Sequence, residues 1–316
     1  MPVARRGNLI YLQTGSHTYC YDESCAPLGR GAMGTVYKGH DVATGKTVAI
    51  KRVKDEYANL PEIRHRAHLE ARLMFSHPNL VEMLGCCEVA SGRGPIFIIS
   101  EYINGENMDV FVDRHIRPLP NVERRICEMF IPVLDALSYI HQKNIIHLDI
   151  KPSNIMVENG RNCRLMDLGI AESLGDVQSI SSGMMGTPKY AAPEQFANSK
   201  QKPTFATDVY EAGVTLYELI TKKNPFVGAS IKLTSFLHRS TILEKTPEIS
   251  DAVLAVLQKA TAVNPAERYQ HASEMKIALR QALAVTDKRP SSLGWLYVLT
   301  FVLLFIIAIV IIYLNK

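Results

Sequence analysis

The stretch Ile146-His147-Leu148-Asp149-Ile150-Lys151-Pro152-Ser153-Asn154-Ile155 decides the reading of this chain, together with Asp167-Leu168-Gly169, which begins thirteen residues after Asn154. The residue types define a task. Asp149 is an acid that can accept, or at least orient, a hydroxyl proton, and Lys151 can neutralise charge on a transferring phosphoryl group. Asn154 and Asp167 offer the hard oxygen ligands that magnesium prefers. Taken singly, each has an ordinary alternative, such as a turn asparagine or a helix-capping aspartate. In this order and spacing they point to one site.

Toward the N-terminus, Leu28-Gly29-Arg30-Gly31-Ala32-Met33-Gly34-Thr35-Val36 carries glycines that let a strand–turn–strand fold closely over phosphates, backbone N–H groups facing the ligand. Alone, GxGxxG also fits a dinucleotide fold or a tight turn. A dinucleotide motif opens a helix, whereas Thr35-Val36-Tyr37 continues as strand. Val48-Ala49-Ile50-Lys51 follows, its lysine fifteen residues after Val36 and able to reach α- and β-phosphates. Such a lysine needs an anion. Glu70, within HLEARLMFSHPNLV, offers one; its short spacing to Pro78 leaves Glu62 as an alternative. Toward the C-terminus come Ala192-Pro193-Glu194, Asp208 within ATDVYEAGV, and Arg268 within Asn264-Pro265-Ala266-Glu267-Arg268.

The surrounding pattern predicts an α+β protein. From Ala26 to about Tyr102, short β-branched runs such as Thr47–Val53 and 96–100 alternate with glycine turns, interrupted by one helical stretch at about 60–75. After Gly105, segments 121–143, 205–222, 248–262 and 271–285 carry apolar residues at helical spacing. Residues 1–24 read as a lead-in without a motif.

The chain of 316 residues suits two domains or one large bilobal one, and 47% apolar with 21% charged residues excludes a disordered or fibrous class. A net charge of +4, spread along the chain, calls for no nucleic-acid partner. The six cysteines, Cys20, Cys25, Cys86, Cys87, Cys127 and Cys163, lack zinc-site spacing, so buried or semi-buried reduced thiols are expected. The first fifteen residues hold two arginines but no apolar run of secretory-signal length.

Residues 283–292 read as a linker, polar over 286–292, before an apolar run at 293–314. These twenty-two residues would span about 33 Å as a helix, enough for a bilayer core. Trp295, Tyr297 and Tyr313 suit interfacial belts, and Lys288 and Arg289 before the run predict a transmembrane helix with the rest of the chain cytoplasmic. Only Asn315 and Lys316 follow it. The helix is therefore expected to be a membrane address and a candidate surface for self-association, although it lacks a clear small-xxx-small pattern.

The motif set, from glycine loop through VAIK, HxDxKxxN and DxG to APE, resembles the eukaryotic-type (Hanks-type) protein kinases over about residues 25–282. The resemblance implies a bilobal kinase fold with a β-rich N-lobe at 25–103 and a helical C-lobe at 104–282. It implies transfer of the γ-phosphoryl of ATP to protein substrates, with Mg2+. Residues 28–36 would cover the nucleotide, along with Ala49, and Lys51 would hold its phosphates, paired with Glu70. Glu101 and Ile103, after the small Ser100, would meet adenine through backbone groups. Asp149 would be the base, and Asn154 and Asp167 the magnesium ligands. Glu194 paired with Arg268, and Asp208 bracing the catalytic loop, would be structural. Lys151 together with Thr187 in GTPKY marks the serine/threonine class. Two other readings stand beside this one. A membrane-bound pseudokinase scaffold would ordinarily lack at least one of the lysine, base or metal ligands, and all are present. A small-molecule kinase would not need the APE segment and Thr187.

Two positions depart from the family pattern. Leu148 stands where many members have an arginine that grips a phosphorylated activation loop. Weak dependence on phosphorylation at Ser179, Ser181, Ser182 or Thr187 is therefore expected. Leu168 replaces the commoner phenylalanine, an apolar exchange.

Overall fold

A computed structural model describes residues 2–31, 34–58, 64, 75–90, 93–167, 172–173, 186–196, 199, 201–228 and 230–287. It has two lobes, a β-rich one followed by a helical one, as the residue patterns predict.

The first lobe is built by period-two alternation. Its strands are β1 (Val3–Arg6), β2 (Leu9–Thr14), β3 (His17–Asp22), β4 (Gly29–Arg30), β5 (Gly34–Asp41), β6 (Thr47–Val53), β7 (Met83–Ala90) and β8 (Arg93–Glu101). They form one antiparallel sheet in the order β1-β2-β3-β5-β6-β8-β7, with β4 also paired to β5. Residues 3–22, read from sequence as part of a lead-in, thus extend the sheet: Tyr19, Cys20 and Tyr21 pair with Asp41, His40 and Gly39. In β2 the side chains of Ile10 and Leu12 point inward and are buried.

The sheet curls until its ends meet. Cys87 Sγ on β7 donates to the Pro2 carbonyl at 2.8 Å, and a methyl group on Gly85 would lie 2.8 Å from Thr14 Oγ1. One face of β6 and β8, with Val48, Ile50, Phe97 and Ile99, is covered by Ile10, Leu12, Tyr19 and Tyr21 of the meander. The other face carries Val53, Ile96 and Ile98, packed with Met83 and with Ala58 of the helical turn Asp55–Ala58.

The second lobe begins with β9 (Gly105–Asn107) and a helical turn, Met108–Phe111, that runs on as a π-helix, Val112–Ile116. Helix α1 (Val122–Gln142) follows. It buries Ile126, Phe130, Val133, Leu137 and Ile140 along one stripe, the spacing of an amphipathic helix. Strands β10 (Ile145–Ile146), β11 (Ile155–Glu158), β12 (Asn162–Leu165) and β13 (Glu172–Ser173) frame the catalytic segment. Helices α2 (Phe205–Thr221), α3 (Ile231–Ser240), α4 (Asp251–Ala260) and α5 (Ala272–Asp287) complete the lobe. Helix α2 is buried along nearly its whole length, between α1 and α4.

Helix α3 has no counterpart in the sequence reading. Ile231, Leu233 and Phe236 are exposed on it, so no buried apolar stripe announces it. The helix expected at 60–75 lies outside the described residues except at its margins, and so do the linker end and the apolar run at 293–314. Among the described residues no helix is long and apolar enough to cross a membrane. All six cysteines are free; Cys25 is exposed, contrary to expectation, because it sits in the turn leading to β4.

Candidate active site

The glycine stretch folds back on itself through β4 and β5. Leu28 N–H donates to the Val36 carbonyl at 2.8 Å, and Gly31 N–H to the Gly34 carbonyl at 2.9 Å. A Cβ at Gly34 would come within 2.5 Å of the Arg52 carbonyl oxygen, so the approach of β5 to β6 demands glycine. At Gly29 a Cβ would meet nothing within 4 Å. The protein's own packing gives no reason for glycine there, which leaves the ligand side of the loop as the reason.

Against this hairpin lies a cavity of about 470 Å³, lined by Leu28, Gly29, Val36 and Ala49 from one lobe and Met156 and Met166 from the other. Lys51, Glu101, Ile103 and Asp167 also line it. Of the other expected nucleotide residues, Arg30, Gly31, Gly34 and Thr35 build the arms of the hairpin and are not lining residues. Ala32, Met33 and Glu70 lie outside the described residues. The Glu101 side chain turns to structure: it pairs with Arg164 on β12 and accepts from Glu82 N–H at 2.8 Å.

Lys51, on β6, reaches across the lobes to Asp167, Nζ to Oδ1 at 2.5 Å. Burial opposes ionisation of Asp167, yet the adjoining Lys51 ammonium, helped by Lys151 and His147, holds its carboxyl below the ordinary range. Its backbone adopts φ +64°, an uncommon region for a non-glycine residue.

The catalytic segment runs from β10 through a 3-10 turn, Pro152–Asn154, into β11. Asp149 is buried, and its two oxygens are fully engaged. Thr187 Oγ1 donates to Oδ1 at 2.7 Å, while Lys151 Nζ and Asn154 Nδ2 donate to Oδ2 at 2.7 and 2.9 Å. Lys151 Nζ also donates to Thr187 Oγ1 at 2.7 Å, which closes a ring of carboxylate, ammonium and hydroxyl. Asn154 Nδ2 bonds the Asp149 carbonyl as well, at 2.8 Å. With its amide hydrogens turned to Asp149, its Oδ1 faces away from the base. Met166 N–H donates to the Asn154 carbonyl at 2.9 Å, which sets Asn154 beside Asp167.

Buried side chains hold this segment. Asp208 accepts from His147 N–H at 2.9 Å, Leu148 N–H at 2.9 Å and His141 Nε2 at 2.8 Å. Leu148 sits at φ +64° with no exposed surface, in a small cluster with Ile146 and Phe205. Glu194 and Arg268 form a fully buried bidentate pair at 2.7 and 2.9 Å. The carbonyls of Ala206, Ala262 and Val263 take the remaining guanidinium hydrogens, so all five are satisfied.

The donor set suits a hard cation. Among the described residues no group of three His, Cys, Asp or Glu side chains is placed to hold a metal alone. Asp167 and Asn154 side by side instead suit an ion that completes its shell with phosphate and water, as magnesium does. The model of the protein kinase domain matches residues 23–280. The chain belongs to the protein kinase family. It is 34% identical over 268 residues to the probable serine/threonine-protein kinase SCO3848 of Streptomyces coelicolor, a match covering 81% of this chain and 39% of that protein. It is 32% identical over 268 residues to the serine/threonine-protein kinase PknB of Mycolicibacterium smegmatis, covering 80% and 41%. To the probable serine/threonine-protein kinase PknB of Lactococcus lactis it is 32% identical over 256 residues, covering 78% and 40%. The kinase chain thus matches about two fifths of the length of these relatives.

Several residues of this kinase site escaped the sequence reading. Met156 follows Asn154 by two positions, so strand alternation could have placed it on the cavity side. Met83, Ile98 and Ser100 line the cavity because β7 and β8 pair in register, which no local signal reveals. Glu211 and Thr215 were also unread, and they return below.

Proposed function

We propose that this kinase domain transfers the γ-phosphoryl group of ATP to serine and threonine hydroxyls of protein substrates. One observation carries the reading. A hydroxyl oxygen, that of Thr187, lies 2.7 Å from both a buried carboxylate oxygen and an ammonium nitrogen. A substrate hydroxyl entering beside Thr187 would meet the same pair. Asp149 would then orient the hydroxyl and take its proton, while Lys151 offsets charge on the moving phosphoryl group. Lys51 would hold the α- and β-phosphates, its partner Asp167 keeping it extended into the cavity. Asn154 and Asp167 would hold magnesium, which neutralises charge on the β- and γ-phosphates when bound. Catalysis is then a matter of positioning and charge, with little covalent chemistry. The pairing of Lys151 with Thr187, and the printed names of the relatives, support serine and threonine over tyrosine.

We read residues 293–314 as a membrane anchor that keeps the kinase domain on the cytoplasmic side, with self-association through that helix as a further reading. The length and apolar character of the run support the anchor. The deciding experiment is phosphate transfer from labelled ATP by the detergent-solubilised full chain, with magnesium and a generic basic protein. Asp149→Asn is expected to lower transfer by about 10²–10⁴-fold, the usual scale for a general base, and Lys51→Ala to abolish it. A folded chain that labels no serine or threonine would be a scaffold instead. Retention in the membrane pellet after an alkaline carbonate wash tests the anchor.

A further inference from the structure

Helix α2 presents three polar side chains, Asp208, Glu211 and Thr215, at spacings of three and four residues, so they share one face. None has any solvent exposure. All three bond the main chain of the catalytic segment. Asp208 takes the N–H groups of His147 and Leu148. Glu211 Oε2 accepts from Ile150 N–H at 2.8 Å, and Thr215 Oγ1 donates to the Ile150 carbonyl at 2.9 Å. Ile150 lies between the proposed base, Asp149, and its partner Lys151. Both of its backbone polar groups are therefore fixed by one helix.

Glu211 also faces the other way. Its Oε1 accepts from Gln195 Nε2 at 2.8 Å, and the same amide nitrogen reaches the Leu148 carbonyl at 3.3 Å. Gln195 Oε1 accepts from Ala192 N–H at 2.6 Å, which fixes the orientation of the amide. Gln195 belongs to the segment that begins at Gly186 and Thr187. At Gly186, φ is +80° and a Cβ would lie 2.5 Å from the Leu148 carbonyl oxygen, so the two backbones touch. Burial, and then the charge of neighbouring Asp208, push the Glu211 carboxyl well above the ordinary range. An acid buried beside another acid weakens a fold. What Glu211 supplies is geometry.

We infer that Glu211 is a positioning residue, tying the catalytic loop at Ile150 to the substrate-side segment at Gln195 so that Asp149 and Thr187 stay in bonding register. The inference rests on the kinase reading only for its effect on turnover. Because the tie consists of permanent side chains, it needs no phosphate on the loop.

The test uses the full chain with Glu211→Ala, Glu211→Gln, and the exchange Glu211→Gln with Gln195→Glu. The single glutamine places two amide donors face to face; the exchange restores a donor–acceptor pair. The expected result for Glu211→Ala is a kcat lower by about 10²-fold, the scale of a small misplacement at a reacting centre, with KM for ATP unchanged. Hydrogen exchange should rise in 146–152 and 186–196 and nowhere else. The exchange variant should recover most of the loss seen in Glu211→Gln. Unchanged kcat and unchanged hydrogen exchange in Glu211→Ala would overturn the inference. If Glu211→Ala does not fold, Glu211→Gln and the exchange are read alone, and no recovery overturns it. If the native chain transfers no phosphate yet the hydrogen-exchange pattern appears, positioning stands and the kinase reading fails.

Discussion

His238 is a titratable residue that serves while uncharged. Its ring is fully buried, stacked on Phe226 at 4.2 Å. Nε2 lies 2.9 Å from the Pro188 carbonyl, to which it donates, and Nδ1 lies 2.8 Å from Tyr210 Oη, from which it accepts. Burial pushes its pKa down to about 4. The unfolded chain, with an ordinary histidine near 6.5, therefore binds a proton more readily than the folded one. Stability from the neutral ring is complete above about pH 6.5 and drains away as pH falls toward 4, by about 3 kcal/mol over that window. Thermal melts across this window should fall more steeply for the native chain than for His238→Gln. A parallel pair of curves would remove His238 from the acid response. The sequence hides this role, as it hides that of Glu211. Each side chain is defined by a carbonyl or N–H group far along the chain, at Pro188 or Ile150, and no spacing within its own helix signals that. Asp149, Lys51, Glu194 and Arg268 were legible because each sits in a short motif whose chemistry is local.

At the scale of elements, the β-meander is the largest departure from what the residues announce. Leu9–Thr14 and His17–Asp22 do alternate, but with polar and aromatic residues mixed, and nothing local says which sheet they join. The helices α1, α2, α4 and α5 were legible because a buried stripe of period 3.6 is a strong signal. Leu12, in the centre of the meander, has no exposed surface and packs in the cluster with Ile50 and Ile99. Leu12→Ala is expected to cost about 2–5 kcal/mol, the range for truncating a buried leucine, in chemical denaturation of the full chain. A loss under about 0.5 kcal/mol, the usual size of a surface effect, would mean that the meander is a loose appendage and not part of the lobe's core.

Across the whole molecule, the two lobes meet at the cavity and are joined by a few charged contacts. Lys51 reaches Asp167, and Arg164 reaches both Glu101 and the Leu80 carbonyl. A ligand seated between the lobes should therefore stabilise both at once. Magnesium–ATP at 100 times its dissociation constant is expected to add about 2.7 kcal/mol, seen as a rise in melting temperature that Asn154→Ala diminishes. A nucleotide shift without dependence on magnesium would argue against the roles given to Asn154 and Asp167. One strand has a consequence for engineering. Near its start β5 pairs with β4 to make the cover over the cavity, and near its end the same strand is stitched to β3. It is a beam loaded at both ends. A sensor module spliced into the turn at Gly15 and Ser16 would pull on the nucleotide cover through main-chain hydrogen bonds alone, making that turn a handle for coupling phosphate transfer to an added signal.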